Sequence, residues 1–114
     1  MLLHTVSASP FTSQQFSDAV HASATGDAIL LMGDAIYATI KTGDIAATIA
    51  SKSDIAWYVI EEDCLIRGIA VDAIHPLARC IGYDTFVELV IAADSTIAWK
   101  LINHEHDGAR CKTR

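Results

Sequence analysis

The sequence predicts an α/β fold: a single three-layer α/β/α domain around a mostly parallel sheet of four to five strands. Three observations carry that expectation. Apolar runs of strand length recur at residues 2–6, 28–32, 55–60 and 79–83. The segments between them carry apolar residues at helical spacing. Those segments are also long enough to be crossovers, which makes neighbouring strands parallel and lays helices on the sheet.

Leu2 to Val6 is a short apolar run followed by Ser7-Ala8-Ser9-Pro10, and Pro10 would interrupt a ladder, so it reads as strand, then loop. Thr12-Ser13-Gln14-Gln15 has the form of a capping box, with Thr12 at the N-cap and Gln15 three residues on. Behind it Phe16, Ala19, Val20 and Ser23 recur at helical spacing, and Gly26 ends the helix. Ala28 to Met32 is uninterrupted and apolar, the pattern of a strand covered on both faces. Gly33-Asp34 breaks that strand and supplies a helix N-cap. Ile36, Tyr37 and Ile40 follow, then Ile45, Thr48 and Ile49 beyond a break at Thr42-Gly43-Asp44, which predicts a helix in two pieces.

Ile55 to Ile60 is the clearest strand of the chain. Glu61-Glu62-Asp63 then puts negative charge at the start of a short helix, favourable to its dipole, and Gly68 is placed to stop it. Ala70 to Ala78 is ambiguous, with Pro76 favouring a loop. Arg79-Cys80-Ile81-Gly82-Tyr83 reads as a fourth strand, central in the sheet. Asp84 would cap a helix carrying Phe86, Val87, Val90 and Ile91, and Ser95 to Trp99 reads as a short fifth strand. The domain is therefore expected over residues 1–99, with 100–114 as a polar tail.

Composition narrows the function. The 114 residues carry eight Lys plus Arg against fourteen Asp plus Glu, a formal charge of −6. An unaided grip on a nucleic-acid backbone needs clustered cations, so direct nucleic-acid binding is not expected. At 52% hydrophobic and 19% charged, the chain is no disordered segment, and its apolar surplus suits a subunit interface. No uncharged stretch approaches the roughly 20 residues of a membrane span. The opening Met1-Leu2-Leu3-His4-Thr5-Val6 has no basic region or cleavage site, so Cys64, Cys80 and Cys111 read as reduced thiols and the expected compartment is the cytoplasm.

Candidate chemistry is sparse. Neither phosphate-cradling glycine motif occurs, so no nucleotide cofactor is expected. Ser7 and Ser9 read as turn residues. Asp34, Glu61, Glu62 and Asp63 lack the fixed spacing of a Mg²⁺ site and read as capping or solvated groups. His104, Glu105, His106 and Cys111 lie in the tail and do not make a zinc pattern; no metal is expected, and His4 and His75 read as structural. Cys64 sits in the first turn of a short helix at the functional edge, but Glu61, Glu62 and Asp63 beside it oppose a thiolate. Cys80, in a strand, reads as an inert small hydrophobe.

An ordered set of short motifs resembles the TusB/DsrH family. It runs through Leu3-His4-Thr5-Val6, Ser9-Pro10-Phe11, Gly26 to Leu31 and Gly33-Asp34-Ala35-Ile36-Tyr37-Ala38. It continues in Val59, Glu62-Asp63, Arg67-Gly68, Tyr83-Asp84-Thr85-Phe86-Val87 with Leu89, and Ala98-Trp99. The resemblance implies a DsrE-like fold and a non-catalytic subunit of a cytoplasmic sulfur-relay complex. That complex supports persulfide transfer for 2-thiolation of the tRNA wobble uridine. The implied partners are homologous TusC/DsrF-like and TusD/DsrE-like subunits, with TusA-like and TusE-like sulfur carriers reached through the complex. The active cysteine of the family sits in the D/E-type subunit. Some DsrH members add a cysteine where this chain has Ala19, so the resemblance favours a TusB-like role over a sulfur-carrying one. The alternatives are a DsrH-like subunit in sulfur oxidation with Cys64 as persulfide carrier, or a stand-alone homo-oligomer of other function.

Overall fold

Strands and helical segments alternate along the chain, and the computed structural model describes residues 1–40, 42–43 and 45–99. The strands are β1 (Leu2–Val6), β2 (Ala28–Leu31), β3 (Ala56–Ile60), β4 (Ala78–Ile81) and β5 (Ser95–Trp99). They form one sheet in the order β4-β3-β2-β1-β5, with every pair parallel. The helices are α1 (Gln15–Ala22), α2 (Ala46–Ser51), α3 (Glu61–Ile66) and α4 (Tyr83–Ala92), with 3-10 segments at Gly33–Thr39 and Val71–Ala73. The expected α/β class and parallel sheet are thus observed, and the fifth strand is formed. The two-piece helix is a 3-10 turn followed by α2. Asp44 of the expected break and the whole 100–114 tail lie outside the described residues.

The two faces of the sheet are covered unequally. On one face Val6, Ile29, Leu31, Trp57 and Val59 pack with Phe16, Ala19 and Val20 of α1, Ala35, Ile36 and Ala38 of the 3-10 segment, Ile49 of α2 and Cys64 of α3. The rings of Phe16 and Trp57 lie 6.0 Å apart in a tilted pair, and the Trp57 indole N–H donates to the Lys52 carbonyl at 3.0 Å. Burying each such large side chain contributes about 1.5–3 kcal/mol. On the other face Leu3, Ala28, Leu30, Ile60 and Ile81 are covered by Phe86, Leu89 and Ala93, from α4 and its end. A single helix covers that face among the described residues, and none of the residues of α4 is fully buried.

Three local expectations are corrected. The capping box does not form: α1 begins after Gln14, Ser9 to Thr12 closes a turn (Thr12 N–H to Ser9 O, 3.3 Å), and Ser13 Oγ accepts the Gln15 N–H at 3.1 Å. The Gln15 side chain turns inward instead, 6% exposed, and neither end of its amide has a hydrogen-bond partner. Asp84 is not the cap of α4, which is capped two residues earlier by Gly82 and starts at Tyr83; the carboxylate stands in the first turn, where the dipole still favours it. Cys80 is not in a central strand. The connection after β4 crosses to the far side of β1, which leaves β4 at the sheet edge and Cys80 half-buried.

Candidate functional site

In parallel α/β sheets the loops at the carboxyl ends of the strands carry the chemistry. Here the loops after β2, β3 and β4 meet on one side chain. Asp63, only 9% exposed, accepts the Gly33 N–H on Oδ2 at 2.7 Å and the Tyr83 hydroxyl on Oδ1 at 3.3 Å. Arg67, one helical turn on, donates through Nε and Nη2 to Asp34 Oδ1 at 3.1 and 2.9 Å and through Nη1 to the Asp63 carbonyl at 3.3 Å. Gly33-Asp34, Asp63, Arg67 and Tyr83, which are separate motifs in the sequence, therefore form one polar lock.

The backbone explains the glycines of this lock. Gly33 has φ +54°, and a Cβ there would stand 3.2 Å from the Ser7 carbonyl oxygen. A side chain at 33 would both strain the turn and push on the end of β1. Gly68 has φ +70° and donates to the Leu65 carbonyl at 3.1 Å, ending α3 as expected.

Asp63 is neither solvated nor a cap of its own helix, which corrects the reading of the acidic triplet: it is a buried structural acceptor. Its signal was present in the spacing, since Asp63, Cys64 and Arg67 share one face of α3 and its end at i, i+1 and i+4. Glu61 and Glu62 remain exposed. Asp34 is paired with Arg67, and among the described residues no group of three His, Cys, Asp or Glu converges as a metal site. Ser9 Oγ accepts the Phe11 N–H at 3.2 Å, the turn role expected of it.

Cys64 points into the core and is 1% exposed. Burial, with Cys80 and Asp63 nearby, pushes its thiol up to about 11. The half-buried Cys80 thiol is also raised, first by burial and then by Glu61. Both thiols are free. Neither is set up as a thiolate nucleophile at neutral pH. Cys111, His104, Glu105 and His106 lie outside the described residues.

A second polar system was not anticipated in the sequence. His4 is fully buried in β1; its Nδ1 accepts the Trp99 indole N–H at 3.1 Å, and its Nε2 faces Asp27 Oδ2 at 3.3 Å. His75 Nδ1 accepts the Leu77 N–H at 3.1 Å. Both histidines have structural hydrogen bonds, as expected. A cleft of about 540 Å³ also opens between α1 and α2, over Phe16, Val20 and Ile45, with Lys52 and His21 on its wall.

This polar lock stands at the carboxyl edge of a parallel α/β sheet. Residues 8–96 match the family model described as DsrH like protein, and the chain belongs to that family. Among its relatives are the proteins named TusB of Erwinia tasmaniensis, 33% identical over 98 residues, and of Pectobacterium carotovorum, 30% identical over 98 residues. Each comparison covers 86% of this chain and all of the relative. The crystal structure of the ychN protein from E. coli superposes with a TM-score of 0.71 at 11% identity, over 85% of this chain and 97% of that one, which is a likeness of fold.

Proposed function

We propose that the chain is a non-catalytic subunit of a sulfur-relay complex serving 2-thiolation of the tRNA wobble uridine. Its TusB-named relatives support that reading. The observation that carries the non-catalytic part is Cys64: a thiol sealed in the core with its pKa raised to about 11 is a poor persulfide carrier. Sulfur would then travel on the cysteine of a homologous TusD/DsrE-like subunit, beside a TusC/DsrF-like one, received from a TusA-like carrier and delivered to a TusE-like carrier. The subunit acts in the cytoplasm, beside these partners, and at −6 it leaves contact with the tRNA to others.

The test has two arms. Deleting the gene is expected to lower wobble thiolation in cellular tRNA; unchanged thiolation would remove the assignment. Incubating the purified complex with a persulfide donor is expected to load a partner subunit, not this one. A transferable +32 Da adduct on Cys64 would make this chain a carrier instead.

A further inference from the structure

The cleft between α1 and α2 takes no part in the sulfur-relay reading, yet its walls are fixed from the core. Both hang on Trp57, which is 2% exposed. The Trp57 ring packs on Phe16, on the cleft floor, and its indole N–H holds the Lys52 carbonyl at 3.0 Å. The Ile55 N–H donates to the same carbonyl at 3.1 Å, so the backbone carrying the Lys52 side chain is set. On the facing wall His21 Nδ1 donates to the Ser17 carbonyl at 2.9 Å, which sets that ring as well.

Topology gives the cleft a direction. Helix α1 joins β1 to β2 and α2 leads from β2 to β3, so both run back toward the amino edge of a parallel sheet. His21, in the last turn of α1, and Lys52, at the C-cap of α2, therefore lie at one end. Pro10 and Ile45, which precede the two helices, lie at the other, with Phe16 and Val20 between. Along α1 the groove runs from Gln14 to His21, about 10 Å of helix.

Its charge is unlike that of the chain. Among the described residues no Asp or Glu lines the cleft, although the sequence carries fourteen. Lys52 has no ion pair among the described residues. Asp54, which feels the Lys52 charge, has its Oδ2 on the Thr25 hydroxyl at 2.6 Å. The carbonyl ends of both helices gather at this end and oppose an anion, so Lys52 is the group that can seat one.

We propose that the cleft is a binding site for a small organic anion with an apolar body: a straight-chain carboxylate. Its head group meets Lys52 and its chain lies over Val20, Phe16 and Ile45. The volume of about 540 Å³ is within the ordinary range for small-molecule sites, which pair an apolar floor with few polar groups. A compact hydrated anion such as phosphate would gain nothing from that floor. A polyanion needs clustered cations, and a single lysine stands here. The inference is independent of the relay reading.

The experiment is calorimetric titration of the full chain with octanoate, with octan-1-ol as the uncharged comparison. Octanoate is expected to bind at one saturable site, and the alcohol about tenfold or more weakly. Lys52→Met is expected to weaken octanoate by about tenfold or more and bring it level with the alcohol. Ser17→Trp fills the cleft from α1 and is expected to abolish binding; Thr48→Trp fills it from α2 should the first variant fail to fold. Val87→Ser/Ile91→Ser removes an exposed apolar face on α4 and is expected to leave binding unchanged. Unchanged thermal midpoints certify the variants. Equal affinity for acid and alcohol, or wild-type affinity in Lys52→Met, overturns the site. Binding kept in Ser17→Trp and lost in the α4 variant puts the ligand on α4 and also overturns it, as does the absence of saturable binding. None of these outcomes touches the relay reading, which the thiolation assay tests separately.

Discussion

The indole N–H of Trp99 donates to Nδ1 of His4 at 3.1 Å, tying the last strand to the first across 95 residues of sequence. Because that nitrogen accepts, the imidazole proton belongs on Nε2, where it faces Asp27 Oδ2 at 3.3 Å. The Trp99 and His4 rings also stack, 6.3 Å between centroids and 23° between planes. Trp99→Phe keeps a ring on the stack and removes the donor. It is expected to cost about 1–2 kcal/mol, since His4 Nδ1 is then buried without a partner. Denaturant unfolding with an unchanged midpoint would show that the bond contributes nothing.

Asp27 at the other end of this relay gives the fold an acid limit. The Ala24 N–H, then the Leu2 N–H and His4, hold its carboxyl below the ordinary 3.8. A carboxyl whose pKa is lower folded than unfolded stabilises the fold above its unfolded value. That contribution is lost as pH falls through the folded value. Thermal midpoints are therefore expected to fall as pH drops below about 4. Asp27→Asn should be less stable at neutral pH and show a shallower acid slope. The slope should not vanish, because the Thr25 hydroxyl also holds Asp54 low. Equal slopes in the two proteins would clear Asp27 of the role.

Asp63→Ala strands the Gly33 N–H and frees the Tyr83 hydroxyl, at an expected loss of about 1–3 kcal/mol. Tyr83→Phe should cost less, about 0.5–1.5 kcal/mol, because Tyr83 is 44% exposed and water can replace its partner. Since both act through one carboxylate, the double variant should lose less than the two singles together. Strict additivity in urea melts would argue against a shared lock.

The thiols should report their environments directly. Native Cys64 is expected to resist alkylation at pH 8, and Cys80, half-buried at the sheet edge, to react faster. Replacing Cys64, Cys80 and Cys111 together by Ala should leave sulfur transfer by the reconstituted complex nearly intact, at a stability cost of about 1 kcal/mol for the buried Cys64. A Cys64→Ala complex that assembles and yet stops transferring sulfur would reverse the assignment.

Expressed alone, the chain is expected to self-associate through α4, where Val87, Val90 and Ile91 are 55%, 39% and 78% exposed at i, i+3 and i+4. Sedimentation at micromolar concentration should show species larger than the 12.3 kDa chain. A single monomer boundary would rule this out.

Most of the secondary structure was legible because it rests on local chemistry. The runs at Leu2–Val6, Ala28–Leu31 and Ala56–Ile60 are strands for the apolar continuity that a two-sided burial requires. Gly68 ends α3 because a positive φ is needed there. The capping box at Thr12 misled for an equally physical reason. A pattern of four residues fits a cap wherever it occurs, and here the turn after Ser9 takes Thr12 while the core takes the Gln15 side chain. At the candidate site Cys64 was placed on the right helix, but its side chain was expected at the edge and lies in the core.

The sequence by itself determined the α/β class, the parallel pairing and the family, because each follows from apolar runs, connection lengths and motifs read in order along the chain. Tertiary structure alone decided that β4 and Cys80 lie at an edge, that Asp63 is a buried acceptor, and that α3 shows Leu65 and Ile66 to solvent. Strand order depends on which side of β1 the last crossover takes, and periodicity carries no information about that choice. The facing of α3 depends on Gly33 and Tyr83, 30 and 20 residues away from Asp63, whose hydrogen bonds outweigh the helix's own apolar preference.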